Sequence, residues 1–188
     1  TTADSELADS TAQYALNYGA VGIIRERYQA RLRTHGRMDA KSLGWMKGGQ
    51  DERFAALAEP FDLSGKSLLD IGCGFGDLLK YVPMIPGTAY TGIDIVADFV
   101  DIARERVAPG DLRHISFEEA EFLKMDLADN AFDFAIGSGL FNRKIGHGHD
   151  EYEYIEAVLR KAYRVCRHGF SFDFMSTKVD FMAPGSHH

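Results

Sequence analysis

The sequence lacks several features that mark common protein classes. It has no apolar run of the about 18 residues needed to cross a bilayer, and its polar, acidic opening TTADSELADS has no apolar core of a signal peptide. Its two cysteines, Cys73 and Cys166, lie far apart and match no metal-binding or redox spacing. We therefore expect a reduced, cytoplasmic protein that holds no metal.

An excess of positive charge is also missing. The 28 acidic residues outnumber the 21 lysines and arginines, which gives a net charge of -7. Proteins that bind nucleic acids concentrate positive charge to displace counterions from phosphates. The one basic cluster, RERYQARLR at 25–33, is typical of a solvated helix face. We expect no nucleic-acid partner and no membrane partner, but a small molecule.

What the sequence does contain is an ordered alternation of predicted elements. The first sixty residues show helical spacing, with Ile24, Tyr28 and Leu32 on one face, and a further helix is predicted around 50–58. From residue 65 predicted strands alternate with helices, and the last helix is expected to end at Gly169. The predicted strands are SLLDI, AYTGIDI, SFEEAEFL, AFDFAIGSG and FSFDFMS. This pattern predicts an α/β fold with a doubly wound, mostly parallel sheet that binds ligands at the carboxyl ends of its strands.

The predicted domain limits follow the same change of pattern. Residues 1–60 form an N-terminal helical extension that covers the site, and residues 61–181 form the α/β domain. Residues 182–188 are a tail that is either the start of a purification tag or native sequence.

A glycine-rich turn, LLDIGCGFGD at 68–77, has the most informative spacing. A dinucleotide fingerprint, G-x-G-x-x-G, would need a last glycine where Asp77 or Leu79 stands. Asp70 and Asp77 would also repel a pyrophosphate. A ligand with positive charge and no phosphate, such as S-adenosylmethionine, can instead be balanced by nearby carboxylates. The turn therefore favours S-adenosylmethionine over a nicotinamide dinucleotide.

With this turn, the segment from about Ser64 to Ser176 resembles the class I S-adenosylmethionine-dependent methyltransferases of the small-molecule type. The resemblance implies a Rossmann-like methyltransferase fold and in-line transfer of the methyl group to a small-molecule acceptor, with S-adenosylhomocysteine as product. It also implies a set of cofactor-binding residues: Asp70, Gly72, Cys73, Gly74, Gly76, Asp94, Ile95, Glu121, Phe122, Ser138, Gly139 and Arg53.

Within this set the resemblance implies individual roles. Asp94, at the end of YTGID, would accept hydrogen bonds from the two ribose hydroxyls, and Ile95 would pack on the adenine. Glu121 is favoured over Asp126 as the acceptor for the adenine amino group, with the Phe122 N–H beside the ring.

The amino-acid end of the cofactor would lie elsewhere. Ser138 and Gly139 would line this methionine end. Gln50 and Arg53 lie in the region where some branches of the family place an arginine for the cofactor carboxylate, and an arginine fork suits that group. Trp45 either stacks near the cofactor or packs in the core.

The stretch SGLFN after the fourth strand departs from the family. Many members that methylate amide or ring nitrogen carry Asp/Asn-Pro-Pro-aromatic there, so the departure argues against nucleic-acid bases as acceptors. The expected substrate residues are Phe141, Asn142, Tyr14 and Tyr18. A general base is needed only if the nucleophile starts protonated, and His147 and His149 are the candidates because histidine titrates near neutral pH.

A second departure lies at the C-terminal end. Family members usually add two strands after the fifth, whereas this sequence continues for about a dozen residues past FSFDFMS. We expect those strands to be absent or cut off, and the exposed sheet edge then predicts one of three outcomes: instability, pairing of two copies through the edge, or a missing partner segment. The alternative function is a methyltransferase-like domain that binds S-adenosylmethionine without transferring its methyl group. Nicotinamide oxidoreduction and aminopropyl transfer fit the motifs less well.

Overall fold

The structure is a computed structural model that describes residues 20–45, 49–108, 114–142 and 151–176. Several predictions fall on residues outside these ranges and stay predictions. They concern Tyr14, Tyr18, His147, His149 and the tail 182–188.

A single parallel sheet of five strands organises the described residues, in the order β3-β2-β1-β4-β5. The predicted α/β, doubly wound fold is therefore confirmed. The strands are β1 (Ser67–Ile71), β2 (Ala89–Asp94), β3 (Ile115–Glu119), β4 (Phe132–Gly137) and β5 (Cys166–Phe172). The α-helices are α1 (Ala20–His35), α2 (Gln50–Ala58), α3 (Ala97–Glu105) and α4 (Glu151–Val165), and short 3-10 helices span Ala40–Leu43, Asp77–Tyr81 and Phe122–Lys124. Within the described ranges, no helix is long and apolar enough to cross a membrane.

Hydrophobic side chains cover both faces of this sheet. Leu68 of β1 belongs to a cluster that includes residues of α2 and α3, whereas its neighbour Leu69 packs with Val158 and Ala162 of α4 on the other face. A strand that is buried on both faces has no polar face to alternate with its apolar one. This explains why SLLDI is an almost continuous apolar run, and why the sequence predicts β1 at the residues where the structure has it.

The junction between α4 and β5 differs from the prediction. The helix was expected to continue to Gly169, but it ends at Val165, and Cys166 already pairs with Phe132 of β4. Gly169 therefore lies inside β5. A Cβ atom there would lie 3.5 Å from the ring of Phe61, which stacks on Phe134 with centroids 4.6 Å apart. The glycine gives an aromatic ring access to the sheet and does not end the helix.

The N-terminal segment lies against the carboxyl end of β2. Arg25 of α1 donates from Nε to the Ile95 carbonyl at 2.8 Å, and Tyr28 meets Phe99 of α3 edge-on at 5.7 Å. Leu43 packs against the same cluster as Ile95. The segment thus reaches the edge of the sheet where the ligand was predicted to bind.

Candidate active site

The predicted site residues follow strands whose carboxyl ends lie at one edge of the sheet. From β1 the chain proceeds to β2 and β3 on one side, whereas β4 and β5 lie on the other side of β1. Ligands of such sheets bind in the crevice where the strand order reverses, which here is the edge between β1 and β4. The glycine turn follows β1, and Ser138 and Gly139 follow β4. The sheet order therefore places both segments at this crevice.

The glycine turn has a backbone that other residues adopt only with strain. Gly72, Gly74 and Gly76 have φ angles of +74°, +53° and +74°. The N–H groups of Gly72 and Cys73 donate to the Ile93 carbonyl of β2 at 2.8 and 2.9 Å, which holds the turn to the neighbouring strand. Left-handed angles of this kind favour glycine because it has no Cβ atom.

Two leucine side chains lie over this turn. A Cβ atom on Gly72 would be 2.9 Å from Leu140 Cδ2, and one on Gly74 would be 2.9 Å from Leu43 Cδ2. Gly72 and Gly74 therefore leave the space in which the two leucine side chains pack on the turn.

Asp94 ends β2 beside the glycine turn. Its Oδ2 accepts the Gly74 N–H and its Oδ1 accepts the Val96 N–H, each at 2.9 Å. An ionised carboxylate offers about four lone-pair sites, so about two remain for further donors such as ribose hydroxyls. Burial raises the pKa of Asp94 to about 6, although the backbone N–H bonds lower it.

Asp70 lies on β1, just before the turn, and its carboxyl is not exposed to a ligand as the sequence analysis assumed. Its side chain is buried at 3% exposure and accepts a hydrogen bond from the Tyr90 hydroxyl. Burial raises the pKa of Asp70 to about 7, and the charges of Asp94 and Asp77 raise it as well. The Asp77 carboxylate is instead balanced by an ion pair, in which Arg106 Nη2 lies 2.7 Å from Asp77 Oδ1.

The Asp70 carboxyl should make stability depend on pH. Because its pKa is higher in the folded chain than in the unfolded one, its stabilising contribution is complete at low pH and is lost as the pH rises through about 7. Relative to Asp70→Asn, the wild-type free energy of unfolding should fall by about 1–3 kcal/mol between about pH 5 and about pH 8. Urea denaturation of both proteins measures this difference. The asparagine can still accept from Tyr90, so stability curves that stay parallel over this range would contradict the assignment.

The predicted adenine-binding segment lies beyond β3. The strand ends at Glu119, so the predicted strand SFEEAEFL extends too far; Glu121 lies outside it, precedes a 3-10 helix and pairs with Lys124 Nζ at 2.7 Å. The Phe122 side chain is buried, with the Lys161 ammonium group over its ring at 5.2 Å. The adenine contacts of Glu121 and the Phe122 N–H remain predictions.

Lys161 is a residue that sequence reasoning did not identify. It is buried on α4, and its Nζ donates to the carbonyl oxygens of Leu123 and Met125 at 3.1 and 2.5 Å. Burial lowers the pKa of this ammonium group to about 8. Lys161 therefore fixes the 3-10 segment that follows Glu121. A lysine in an amphipathic helix gives no sequence signal for such a role.

At the other end of the site, Arg53 contacts a residue that the sequence had not indicated. Its Nη1 lies 3.0 Å from Asp173 Oδ2, and its guanidinium lies 4.9 Å from the Trp45 ring centroid. Asp173 follows β5 and also accepts the Gly139 N–H at 2.6 Å and the Ser138 hydroxyl at 3.3 Å. Gln50, the other candidate, reaches Asp77 at 3.5 Å.

The two predicted substrate residues after β4 have different environments. Phe141 is 2% exposed and stacks on Phe174 with centroids 4.9 Å apart, so it is packed among aromatic side chains. Asn142 has a buried amide oxygen that finds no hydrogen-bond donor within the described part of the chain. Contact of Phe141 and Asn142 with a substrate remains a prediction.

Cys73 is buried in the core, and burial keeps the pKa of its thiol well above the usual value.

Comparison with known proteins decides the family. Residues 68–169 match the methyltransferase domain family. The chain belongs to the class I S-adenosylmethionine-dependent methyltransferases. This match contains the glycine turn, Asp94 and Glu121, and the resemblance drawn from the motifs is confirmed.

Individual methyltransferases show the same relation. A proposed methyltransferase of Mycobacterium tuberculosis is 32% identical over 130 residues, which cover 68% of this chain and 71% of that protein. The demethylmenaquinone methyltransferase of Listeria monocytogenes is 30% identical over 108 residues, or 56% of this chain, but this match spans only 42% of the relative. A crystal structure of a methyltransferase from Aquifex aeolicus has a TM-score of 0.55 at 21% identity, covering 78% of this chain and 79% of that one, which supports the fold alone.

The cofactor of this family, S-adenosylmethionine, fits the residues present. Asp94 keeps acceptor sites for the two ribose hydroxyls. The charges of Asp70 and Asp77 contribute little to this fit, because Asp70 is buried against the Tyr90 hydroxyl and Asp77 pairs with Arg106; the fit rests on Asp94 and the glycine turn. These residues would therefore hold the cofactor at the crevice between β1 and β4.

Proposed function

We propose that this methyltransferase acts on a small-molecule acceptor with an apolar ring. The observation that carries the proposal is the position of Asp94, the glycine turn and Ser138 along one sheet edge with aromatic side chains beside them. The similarity to demethylmenaquinone methyltransferases, whose name refers to a small apolar acceptor, supports the same class.

The proposed mechanism depends more on the positioning of the two reactants than on proton transfer. When bound, S-adenosylmethionine supplies a methyl group on a positively charged sulfur, which is already activated for departure. Asp94 would anchor the ribose, and the glycine turn would fix the backbone next to the reacting end. Holding two reactants in line contributes about 7–11 kcal/mol in favourable cases, so orientation by these residues is the main contribution we assign to the chain.

Aromatic side chains beside β5 favour an apolar acceptor. Phe174 is 53% exposed and lies nearly parallel to Phe141, with an angle of 18° between the rings. Phe172 also lies near Phe141, with the two ring centroids 5.3 Å apart. An exposed ring on a stacked pair offers a further planar group a surface for stacking. We assign the acceptor ring to this surface.

A catalytically silent domain is the competing function. The observation that favours it is the position of Leu43 and Leu140, whose side chains lie over the glycines. If these leucines keep the reacting end of the cofactor away from an acceptor, the chain would bind S-adenosylmethionine without turnover.

A transfer assay with labelled S-adenosylmethionine and a short-chain demethylmenaquinone separates these functions. We expect label in the acceptor, and we expect Phe174→Ala to raise the acceptor KM about fivefold, because it removes a stacking surface worth about 1 kcal/mol. Tyr163→Ala is the matched control, since Tyr163 is also exposed but lies on α4. Binding of S-adenosylhomocysteine without transfer to any ring-bearing acceptor would contradict the proposal and favour the silent domain.

A further inference from the structure

Lys161 is a charged residue on the core face of α4 that the proposed mechanism does not use. It is 5% exposed, and Val158, Ala162 and Val165 on the same helix face are buried in the cluster that covers β1 and β4. Burying an ammonium group is costly unless it is hydrogen-bonded, and burial lowers the pKa of Lys161 to about 8. Packing alone would therefore favour an apolar side chain at this position.

The acceptors of this ammonium group both lie in the segment that follows β3. Lys161 Nζ donates to the carbonyl oxygens of Leu123 and Met125 at 3.1 and 2.5 Å, and it lies 5.2 Å from the centroid of the Phe122 ring. The last carbonyls of a helix have no donor within the helix, and a lysine side chain is suited to bind them. Lys161 thus anchors the C-terminal end of this 3-10 helix to α4.

The other end of the segment is anchored at the ribose site. The Ala120 N–H donates to the carbonyl oxygen of Asp94 at 2.9 Å, so the chain leaves β3 beside the residue that we assign to the ribose. Glu121 lies between the two anchors, and its side chain is 18% exposed. The positions of Glu121 and of the Phe122 N–H are therefore set from one side by Asp94 and from the other side by Lys161.

We propose that Lys161 is a positioning residue for the adenine ring of S-adenosylmethionine. By holding the carbonyls of the 3-10 segment, it keeps the Glu121 carboxylate and the Phe122 N–H where the adenine edge needs an acceptor and a donor. Hydrogen bonds weaken steeply with poor distance or angle, so a shift of this segment would weaken both contacts. The inference deepens the proposed function and rests on it only through the cofactor, whatever the acceptor.

Two nucleosides that differ only in the purine ring test this role. S-adenosylhomocysteine presents an amino group as donor and N1 as acceptor, whereas S-inosylhomocysteine presents a carbonyl oxygen and a protonated N1. The wild-type protein should bind S-adenosylhomocysteine about tenfold or more tightly, because the inosine compound places acceptor against acceptor and donor against donor. Calorimetric titration of both ligands gives the ratio of their dissociation constants.

Lys161→Met keeps an unbranched side chain but has no N–H donor. The preference for S-adenosylhomocysteine should fall about fivefold or more, whereas affinity for S-inosylhomocysteine should change by less than about twofold. Lys161→Gln retains an amide donor and should keep more of the preference than the methionine variant. Arg160→Met is the matched control and should leave the preference unchanged, because Arg160 precedes Lys161 on α4 and forms an exposed ion pair with Glu156.

Thermal unfolding checks that each variant folds, and Lys161→Gln carries the test should Lys161→Met fail to fold. Equal weakening of both nucleosides would make Lys161 a structural residue only, and an unchanged ratio would separate it from adenine recognition; either result overturns the inference. A wild-type protein that shows no preference, or binds neither nucleoside, overturns it too. A preference that is lost in Lys161→Met, without methyl transfer to any acceptor by the wild type, would support the inference and contradict the proposed function alone.

Discussion

Replacement of Asp94 by asparagine is expected to weaken S-adenosylmethionine binding at least about 100-fold. The carboxylate is buried beside the glycine turn and keeps about two acceptor sites for the ribose hydroxyls. Hydrogen bonds to a charged group contribute about 1.5–3 kcal/mol each, so loss of two of them is a loss of two orders of magnitude or more in affinity. Calorimetric titration of the variant against the wild-type protein measures the change.

The same substitution should act equally on every ligand that contains the ribose. S-adenosylhomocysteine and 5′-methylthioadenosine both contain this ribose, so both should lose affinity to a similar extent. Asp98→Asn is the control, because Asp98 is an exposed carboxylate near the start of α3. Asp94 also holds the N–H groups of Gly74 and Val96, so some loss of stability is expected, and unfolding must be monitored. Unchanged affinity in a folded Asp94→Asn protein would mean that the ribose binds elsewhere.

Replacement of Gly76 by valine is expected to destabilise the fold by about 3 kcal/mol or more. Its φ of +74° is left-handed, which costs an L-residue about 1–2 kcal/mol. A Cβ atom would also lie 3.0 Å from the Phe117 ring, and overpacking a core typically costs about 1–3 kcal/mol. Denaturant unfolding of the variant gives the free-energy difference.

Gly36→Val separates backbone strain from packing. Gly36 ends α1 with a φ of +90°, but among the described residues no atom lies within 4 Å of where its Cβ would be. This variant should show the strain without the overpacking, and so should remain more stable than Gly76→Val. Equal destabilisation of the two proteins would show that Phe117 does not restrict the turn.

The positions of the central strands could be predicted because the apolar runs and the turn residues that flank them indicate the same limits. SLLDI is an apolar run bounded by a turn before it and by glycines after it, and the structure places β1 at the same residues, Ser67–Ile71. AYTGID likewise gives β2 up to Asp94, so the position of this carboxylate at the sheet edge followed from the sequence.

Contacts between distant segments could not be predicted in this way. Asp173 reads as the polar member of the alternating stretch FSFDF, and nothing local links it to Arg53 of α2. The contact of Arg25 with the Ile95 carbonyl depends on how α1 lies against the carboxyl end of β2, which helical periodicity does not determine. Gly169 was interpreted as a helix end because glycine commonly has that role, whereas its neighbour Phe61 comes from a segment more than a hundred residues away.

A crystal structure of the chain with S-adenosylhomocysteine would test the assigned site most directly. We expect the ribose hydroxyls within hydrogen-bond distance of Asp94, and the amino-acid group beyond the glycine turn, next to Ser138 and Gly139. A nucleoside bound away from Asp94, or one that leaves the glycine turn uncovered, would contradict the assignment of this sheet edge as the cofactor site.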